Sequence, residues 1–585
     1  MATQTQFPNQ HTILRQRSPL VLLGVIVLCV ILAMRIISFQ FPTDPRVLAE
    51  FQLMRDANSG RIVRIESPRG EIYDRNGNPL AVNTILYRLG ISPGLISNKS
   101  KVATDLARIL NRDELEMFEL LTSGRVWVPL GVVDPETWYR VRELNIFGIE
   151  VERVQRRVYP QGALGAQVIG FVNGIGQDSR GNYGVEGYYQ SELAGETRDR
   201  AVSNIPFNLP QDTNYLSGGA TLVLTIDRNV QFFIESELQR AITETGATGG
   251  TIIVMNPRTG DILGMASYPS FDPNTYFNVQ NPRELQNPAI SDLFEPGSVF
   301  KVITVAAALE IGTITPSWTY NDQGVLEIGG IRIQNWDRQA HGIVDVRRVL
   351  VESLNIGTAT IAQQMGWQRF YEMLARFGIG SLTRVDLQGE QRGILRTPDD
   401  MSGRWSESDL ATNSFGQGLS VTPLQMLVAV NAIANNGVMM QPRVVHQIVD
   451  GDKIYESRPM PLGAQVIRPE TARIVTDMMV SVVESGLDEA ARVPGYKVAG
   501  KTGTAEIGTP IGYEVGAYIM SFVGFLPADN PQVSILIKLD RPKNGRWASQ
   551  VVAPIFSRMT SRLVHLLQIP PENSIQSASN TQLGG

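Results

Sequence analysis

The stretch RQRSPLVLLGVIVLCVILAMRIISF holds the one long apolar run of this chain, and it constrains where everything else can fold. Arg15 and Arg17 precede an apolar stretch from Pro19 to Met34. With Arg35 snorkelling to the interface, Ile36 to Phe39 extend it to roughly the 20 residues a membrane helix needs. The bulky Met34, Arg35, Ile36 and Ile37 leave no small-residue cleavage site, so an uncleaved anchor is expected rather than a signal peptide. A lipoprotein is excluded because Leu28, before Cys29, is not small. The arginines place residues 1–18 in the cytoplasm and 19–41 in the membrane, with all later residues outside.

Composition narrows the classes further. At 585 residues, 43 % hydrophobic and 19 % charged, the chain suits two or three folded domains. A formal net charge of −5, with no long basic run, argues against a nucleic-acid partner. Cys29 is the single cysteine, so no internal disulfide can form. His11, His341, His446 and His565 are scattered without Cys or Glu at zinc-ligand spacing, and no metal or other cofactor is expected.

From 42 to 215 the chain is rich in arginine and turn residues and reads as a mixed α+β module. Asn76-Gly77 signals a hairpin, while KVATDLARIL and DELEMFELL carry the apolar spacing of amphipathic helices. NLPQDTNYLSGGA marks a boundary near 215. Beyond it, TLVLTID, GGTIIVMNP and GDILGMASYP read as strands, with the helix NVQFFIESELQRAI between the first two. This second region is expected to run from 216 to 568, and the apolar-poor residues 569–585 to form a disordered tail.

Within FEPGSVFK (294–301), Lys301 is the only lysine between Lys101 and Lys453; other positive charges in that span are arginines. Arginine stays protonated, whereas a lysine loses its proton when buried or placed beside another cation. If a helix starts after Pro296-Gly297, Ser298 and Lys301 share a face at its N-terminus, and neighbouring Val299, Phe300, Val302 and Ile303 make the surroundings apolar. A neutral Lys301 can then take the Ser298 proton without any histidine. Two further motifs follow: Ser353-Leu354-Asn355, able to relay a proton and hold a carbonyl, and Lys501-Thr502-Gly503-Thr504. Lys501 and the two threonine hydroxyls suit a carboxylate. Gly503 lets an extended peptide approach a strand edge. The Ser298 and Thr504 amides suit an oxyanion hole. Singly these residues have plainer readings. Ser298 caps a helix, Asn355 sits in a surface turn, Lys501 is a solvated charge and Gly503 a bulge. Together and in this order they point to catalysis.

SxxK, S-x-N and K-T-G are the signature of penicillin-binding proteins and class A β-lactamases. The chain resembles class B penicillin-binding proteins, the membrane-anchored transpeptidases of bacterial cell-wall synthesis, from the anchor to about residue 566. RGEIYDRNGNPLA (69–81), RRVYPQGALGAQVIGFVN (156–173) and YGVEGYYQSELAG (183–195) resemble the family's N-terminal motifs, and LTID (224–227) and SFGQGLSVTPLQM (414–426) match others. FEPGSVFK, KTGTAE and SFVGFLPADNP (521–531) are more similar to the division branch than to the elongation branch.

The resemblance implies an α+β multi-domain fold: a single transmembrane helix, a pedestal of the dimerisation-domain type, and a C-terminal transpeptidase domain. That last domain would be an antiparallel sheet flanked by helices, similar to serine β-lactamases. It implies a D,D-transpeptidase in which Ser298, Lys301, Ser353 and Asn355 are catalytic and Lys501, Thr502, Gly503 and Thr504 bind substrate. The implied partners are stem peptides (a D-Ala-D-Ala donor and an amine acceptor), β-lactams, a polytopic membrane glycosyltransferase and other cell-wall or division proteins. The implied location is the bacterial plasma membrane with the catalytic domain outside. Two other classes share the motifs: a carboxypeptidase or β-lactamase hydrolase, and a non-enzymatic scaffold or β-lactam sensor. The topology is testable. Protease added to intact spheroplasts is expected to digest the region after residue 41, and protection of that region while a control outer protein is cut would refute it.

Overall fold

The structure, a computed structural model, describes residues 23–35, 62–175, 179–195, 197–201, 218–399, 404–509 and 512–572. The chain forms two units. In the first, residues 23–35 are helical, and Ile62–Glu66 pairs antiparallel with Thr197–Ala201. Among the described residues no helix is long and apolar enough to cross a membrane. The rest of the expected anchor, the cytoplasmic segment 1–18 and the boundary near 215 lie outside the described residues.

The second unit holds the remainder. At its centre five strands pair antiparallel in the order Ile262–Tyr268, Gly249–Met255, Val533–Asp540, Gly512–Leu526 and Ala499–Thr509. Successive side chains of a strand point to opposite faces, and here both faces are covered. Ile252, Val254, Phe522, Ile535 and Ile537 pack with the helices Arg228–Thr245 and Ala548–Leu566. Ile253, Met255, Val523 and Leu536 pack on the opposite side with Lys301–Glu310 and Pro423–Ala434. A strand buried on both faces cannot show polar alternation, which is why GGTIIVM and VSILIKL are nearly unbroken apolar runs. The helix KVITVAAALE is buried from Lys301 through Leu309, as a helix apolar all round must be.

The N-terminal region is joined to this core by backbone pairing. Thr221–Leu224 lies between Val445–Asp450 and Ile72–Tyr73, and Pro79–Ile91 continues the sheet toward Val128–Val133 and Ile149–Val158. The Asn76-Gly77 turn connects Ile72–Tyr73 to Pro79–Ile91. Gly77 adopts φ +81°, and Asp74 Oδ1 accepts the Asn76 and Asn78 amides. Helices Lys99–Leu110 and Glu114–Thr122 begin at Asn98 and Asp113, whose side chains cap Lys101 and Glu116 amides. At the other end the packing extends past 568. Ile569 is buried and its carbonyl accepts the Tyr496 hydroxyl, so the expected tail does not begin at 569; residues 573–585 lie outside the described residues.

Three N-terminal motifs meet at one carboxylate. Glu186 Oε2 accepts from Arg69 at 2.6 and 2.8 Å, and Glu186 Oε1 accepts from Arg157 Nε at 2.6 Å. Arg157 also donates to the Gly70 carbonyl and Asn83, and Arg69 to Gln190. Burial acts to raise the Glu186 pKa, but the two guanidiniums outweigh it and hold the carboxyl below its ordinary value. Such a depressed group stabilises the fold fully above the unfolded carboxylate value of about 4.3. That contribution fades as pH falls through the lower folded value. Glu186→Gln leaves two buried guanidiniums without a counter-charge. It is expected to cost about 3–5 kcal/mol in denaturant unfolding, with the deficit against wild type shrinking below about pH 4. A loss under about 1 kcal/mol would show that the cluster is dispensable.

Candidate active site

Ser298 lies in a 3₁₀ turn, Gly297–Phe300, that runs directly into the helix Lys301–Glu310. The turn is pressed against the edge strand Ala499–Thr509. Gly297 has φ +58°, and a Cβ there would lie 3.1 Å from the Thr504 carbonyl oxygen. A Cβ on Gly503 would come within 2.7 Å of the Pro296 carbonyl and 2.8 Å of Ser521 Oγ. This adds a packing reason for Gly503. The turn that carries Ser298 already fills the space a side chain would need, so glycine is required here by the packing of the fold itself. The two glycines bring the Ser298 turn alongside Thr504.

Lys301 is fully buried. Its Nζ lies 2.6 Å from the Ser353 carbonyl oxygen, 2.8 Å from Asn355 Oδ1 and 3.3 Å from Ser353 Oγ. Burial, and secondarily the Lys501 ammonium, push its pKa well below the ordinary lysine value. A neutral amine has two N–H donors and one lone pair. The carbonyl and amide oxygens can only accept and take both donors, leaving the lone pair for a hydroxyl. No hydrogen bond joins Lys301 to the Ser298 hydroxyl among the described residues; the nearest hydroxyl partner is Ser353. That pattern suits proton passage through Ser353.

Ser353 occupies an uncommon backbone position. The helix Val346–Val351 ends with the Ser353 amide donating to Leu350 and the Leu354 amide to Val349, with Ser353 at φ +56°. This is a Schellman ending, in which the left-handed residue is usually glycine. A serine held there indicates strain kept for its side chain and carbonyl, both of which face Lys301. Asn355 opens the next helix, Asn355–Met365, and its Nδ2 donates to the Gln334 carbonyl, so its orientation is set from two sides.

Lys501 is buried, with Nζ 3.2 Å from the Thr502 carbonyl and 3.8 Å from Asp488 Oδ2. Burial lowers its pKa and Asp488 opposes that shift. The Thr502 hydroxyl donates to Asp488 Oδ1 at 2.6 Å, so it is not free to donate to a substrate carboxylate as its motif position suggests. Thr504 Oγ1 accepts the Ala548 amide at 3.1 Å and keeps its own proton to donate.

Ser298, Ser353, Asn355, Lys501, Thr502 and Thr504 line one cleft of about 370 Å³. The same cleft is lined by Trp336 and Trp547, edge to face with centroids 5.6 Å apart, and by the first turn of the helix Ala548–Leu566. That helix has no side-chain cap at Trp547, so its N-terminal dipole adds to Lys501 in favouring an anion. Sequence reasoning missed Asp488, Trp336, Trp547 and this helix start. None belongs to a short motif, and only the fold brings them near Ser298.

The chain matches the penicillin-binding protein transpeptidase domain over residues 250–561 and the penicillin-binding protein dimerisation domain over 64–203. It is 33 % identical to stage V sporulation protein D of Bacillus subtilis across 96 % of this chain and 88 % of that protein. It is 31 % identical to the peptidoglycan D,D-transpeptidase FtsI of Buchnera aphidicola, covering 94 % of each. The crystal structure of penicillin-binding protein 3 from Mycobacterium tuberculosis, complexed with aztreonam, superposes with a TM-score of 0.68 at 29 % identity, over 87 % of this chain and 98 % of that one. With both domain matches and full-length relatives added to the cleft geometry, the chain belongs to the class B penicillin-binding proteins.

Proposed function

We propose that this protein is a peptidoglycan D,D-transpeptidase acting in septal cell-wall synthesis. The observation that carries the proposal is a buried, pKa-depressed Lys301 bonded to Ser353 and Asn355 beside a cleft that holds Ser298 and Lys501. Relatives named as D,D-transpeptidases support the reaction, and the FtsI relative supports the septal role.

The donor is a stem peptide ending in D-Ala-D-Ala, its terminal carboxylate met by Lys501, the Thr504 hydroxyl and the dipole of the helix Ala548–Leu566. The Thr502 hydroxyl, held by Asp488, takes no part in meeting that carboxylate. Neutral Lys301, through Ser353, takes the Ser298 proton as Oγ attacks the penultimate D-Ala carbonyl. The amides of Ser298 and Thr504 receive the developing oxyanion. The proton passes to the departing D-Ala amine, the peptide bond breaks, and an ester to Ser298 remains. An amine from a neighbouring stem peptide then attacks the ester, gives up a proton by the same route and regenerates the serine. A β-lactam carbonyl enters the same step, but its leaving amine stays tethered and the ester persists. The anchor segment would hold the catalytic unit on the outer face of the plasma membrane, beside a polytopic glycosyltransferase that supplies glycan strands. Residues 42–215 serve as pedestal and the region from 216 onward as transpeptidase domain.

Two substitutions test this. Ser298→Ala is expected to abolish covalent labelling by fluorescent penicillin in a protein that still melts like wild type; undiminished labelling would remove Ser298 from the role. Lys301→Arg keeps a positive charge but supplies no neutral amine, because guanidinium stays protonated. Acylation is expected to slow about 10²–10⁴-fold. A folded Lys301→Arg protein acylating within a few-fold of wild type would refute the base.

A further inference from the structure

Asp488 stands behind the lysine and threonine of the edge strand and belongs to no motif. It follows the helix Pro469–Ser485 and is completely buried. Both of its oxygens are in use. Oδ1 accepts the Thr502 hydroxyl at 2.6 Å; Oδ2 accepts the Thr502 backbone N–H at 2.7 Å and lies 3.8 Å from Lys501 Nζ. Among the described residues the strand Ala499–Thr509 pairs on one side only, with Gly512–Leu526. On an edge strand, alternate N–H groups point away from the partner. Thr502 and Thr504 are therefore on the same side. Asp488 takes the amide at 502 and leaves the one at 504 toward the Ser298 turn.

We infer that Asp488 is a positioning residue for the reaction at Ser298, locking Thr502 at the strand edge and standing as the counter-charge to Lys501. The inference rests on the reading of Ser298 as the acylated nucleophile. Among the described residues two titratable groups face Lys501: Asp488, from the segment after Pro469–Ser485, and Lys301, from the helix that follows Ser298. Their demands are opposite. Lys301 must be neutral to accept a proton, and Lys501 must be charged to meet a carboxylate. Lys501 is as buried as Lys301, and burial favours the neutral form of both. Asp488 is what sets them apart: its carboxylate lies 3.8 Å from Lys501 and opposes the effect of burial there, whereas burial and the Lys501 ammonium act together on Lys301. A charged Lys501 in turn keeps Lys301 neutral.

The test is the pH dependence of the second-order rate of acylation by a carboxylate-bearing fluorescent penicillin. Wild type is expected to give a bell, with an acid limb where Lys301 gains a proton and an alkaline limb where Lys501 loses one. In Asp488→Asn the alkaline limb is expected to move down by about 1 pH unit or more, the usual effect of removing an opposite charge at this range. Asp488→Glu, which keeps the carboxylate, is expected to return the limb toward wild type. A purely structural role would lower the height of the bell or the melting temperature and leave the limb in place. An unmoved alkaline limb in folded Asp488→Asn overturns the inference. If Asp488→Asn does not fold, Asp488→Ser is read in the same way. If neither folds while Ser298→Ala does, Asp488 is a folding determinant and the inference falls. Wild type that takes no label at all would instead overturn the reading of Ser298.

Discussion

Lys301 is fully buried, and the groups it meets are a carbonyl, an amide oxygen, a hydroxyl and a second lysine. Burying an ammonium in such company is costly unless it gives up its proton. That cost is the lever of the site. It requires an apolar helix seated deep against a sheet, a turn that presents a serine at the helix start, and acceptors that satisfy the amine without holding its charge. The helix KVITVAAALE, the sheet face of Ile253, Val523 and Leu536, and the Ser353 and Asn355 oxygens meet these needs in turn.

The molecule treats its buried charges in contrasting ways. Glu186 receives two guanidiniums and stays ionised far from the cleft, where its task is to hold three segments of the N-terminal region together. Lys501 receives one carboxylate, at a distance longer than a direct hydrogen bond, and opens on the cleft. Lys301 receives none of these. The compensation grades from full at Glu186 to partial at Lys501 to absent at Lys301, which matches the roles proposed for the two lysines.

Two left-handed backbone positions fall at this site. Ser353 holds the left-handed position of a helix ending where glycine would be free of cost, and Gly297 opens the nucleophile turn with a positive φ against the edge strand. These positions persist because the surrounding core is packed on both sides of the sheet, so the turn cannot relax without opening contacts to the Ala499–Thr509 strand.

The sequence by itself determined the local matters. Asn76-Gly77 marked a turn, apolar spacing marked Lys99–Leu110 and Glu114–Thr122, and the order of three short motifs with a solitary lysine marked the chemistry. These are legible because turn geometry, helical period and a lysine's proton depend on a few neighbouring residues. Only the tertiary structure decided that Gly503 makes room for Pro296, that the Thr502 hydroxyl belongs to Asp488, that Trp336 and Trp547 line the cleft, and that one sheet joins the N-terminal strands to Thr221–Leu224. Each of these depends on groups far apart in the chain meeting within a few ångströms. No local pattern encodes such a meeting, because it is set by how the whole core closes.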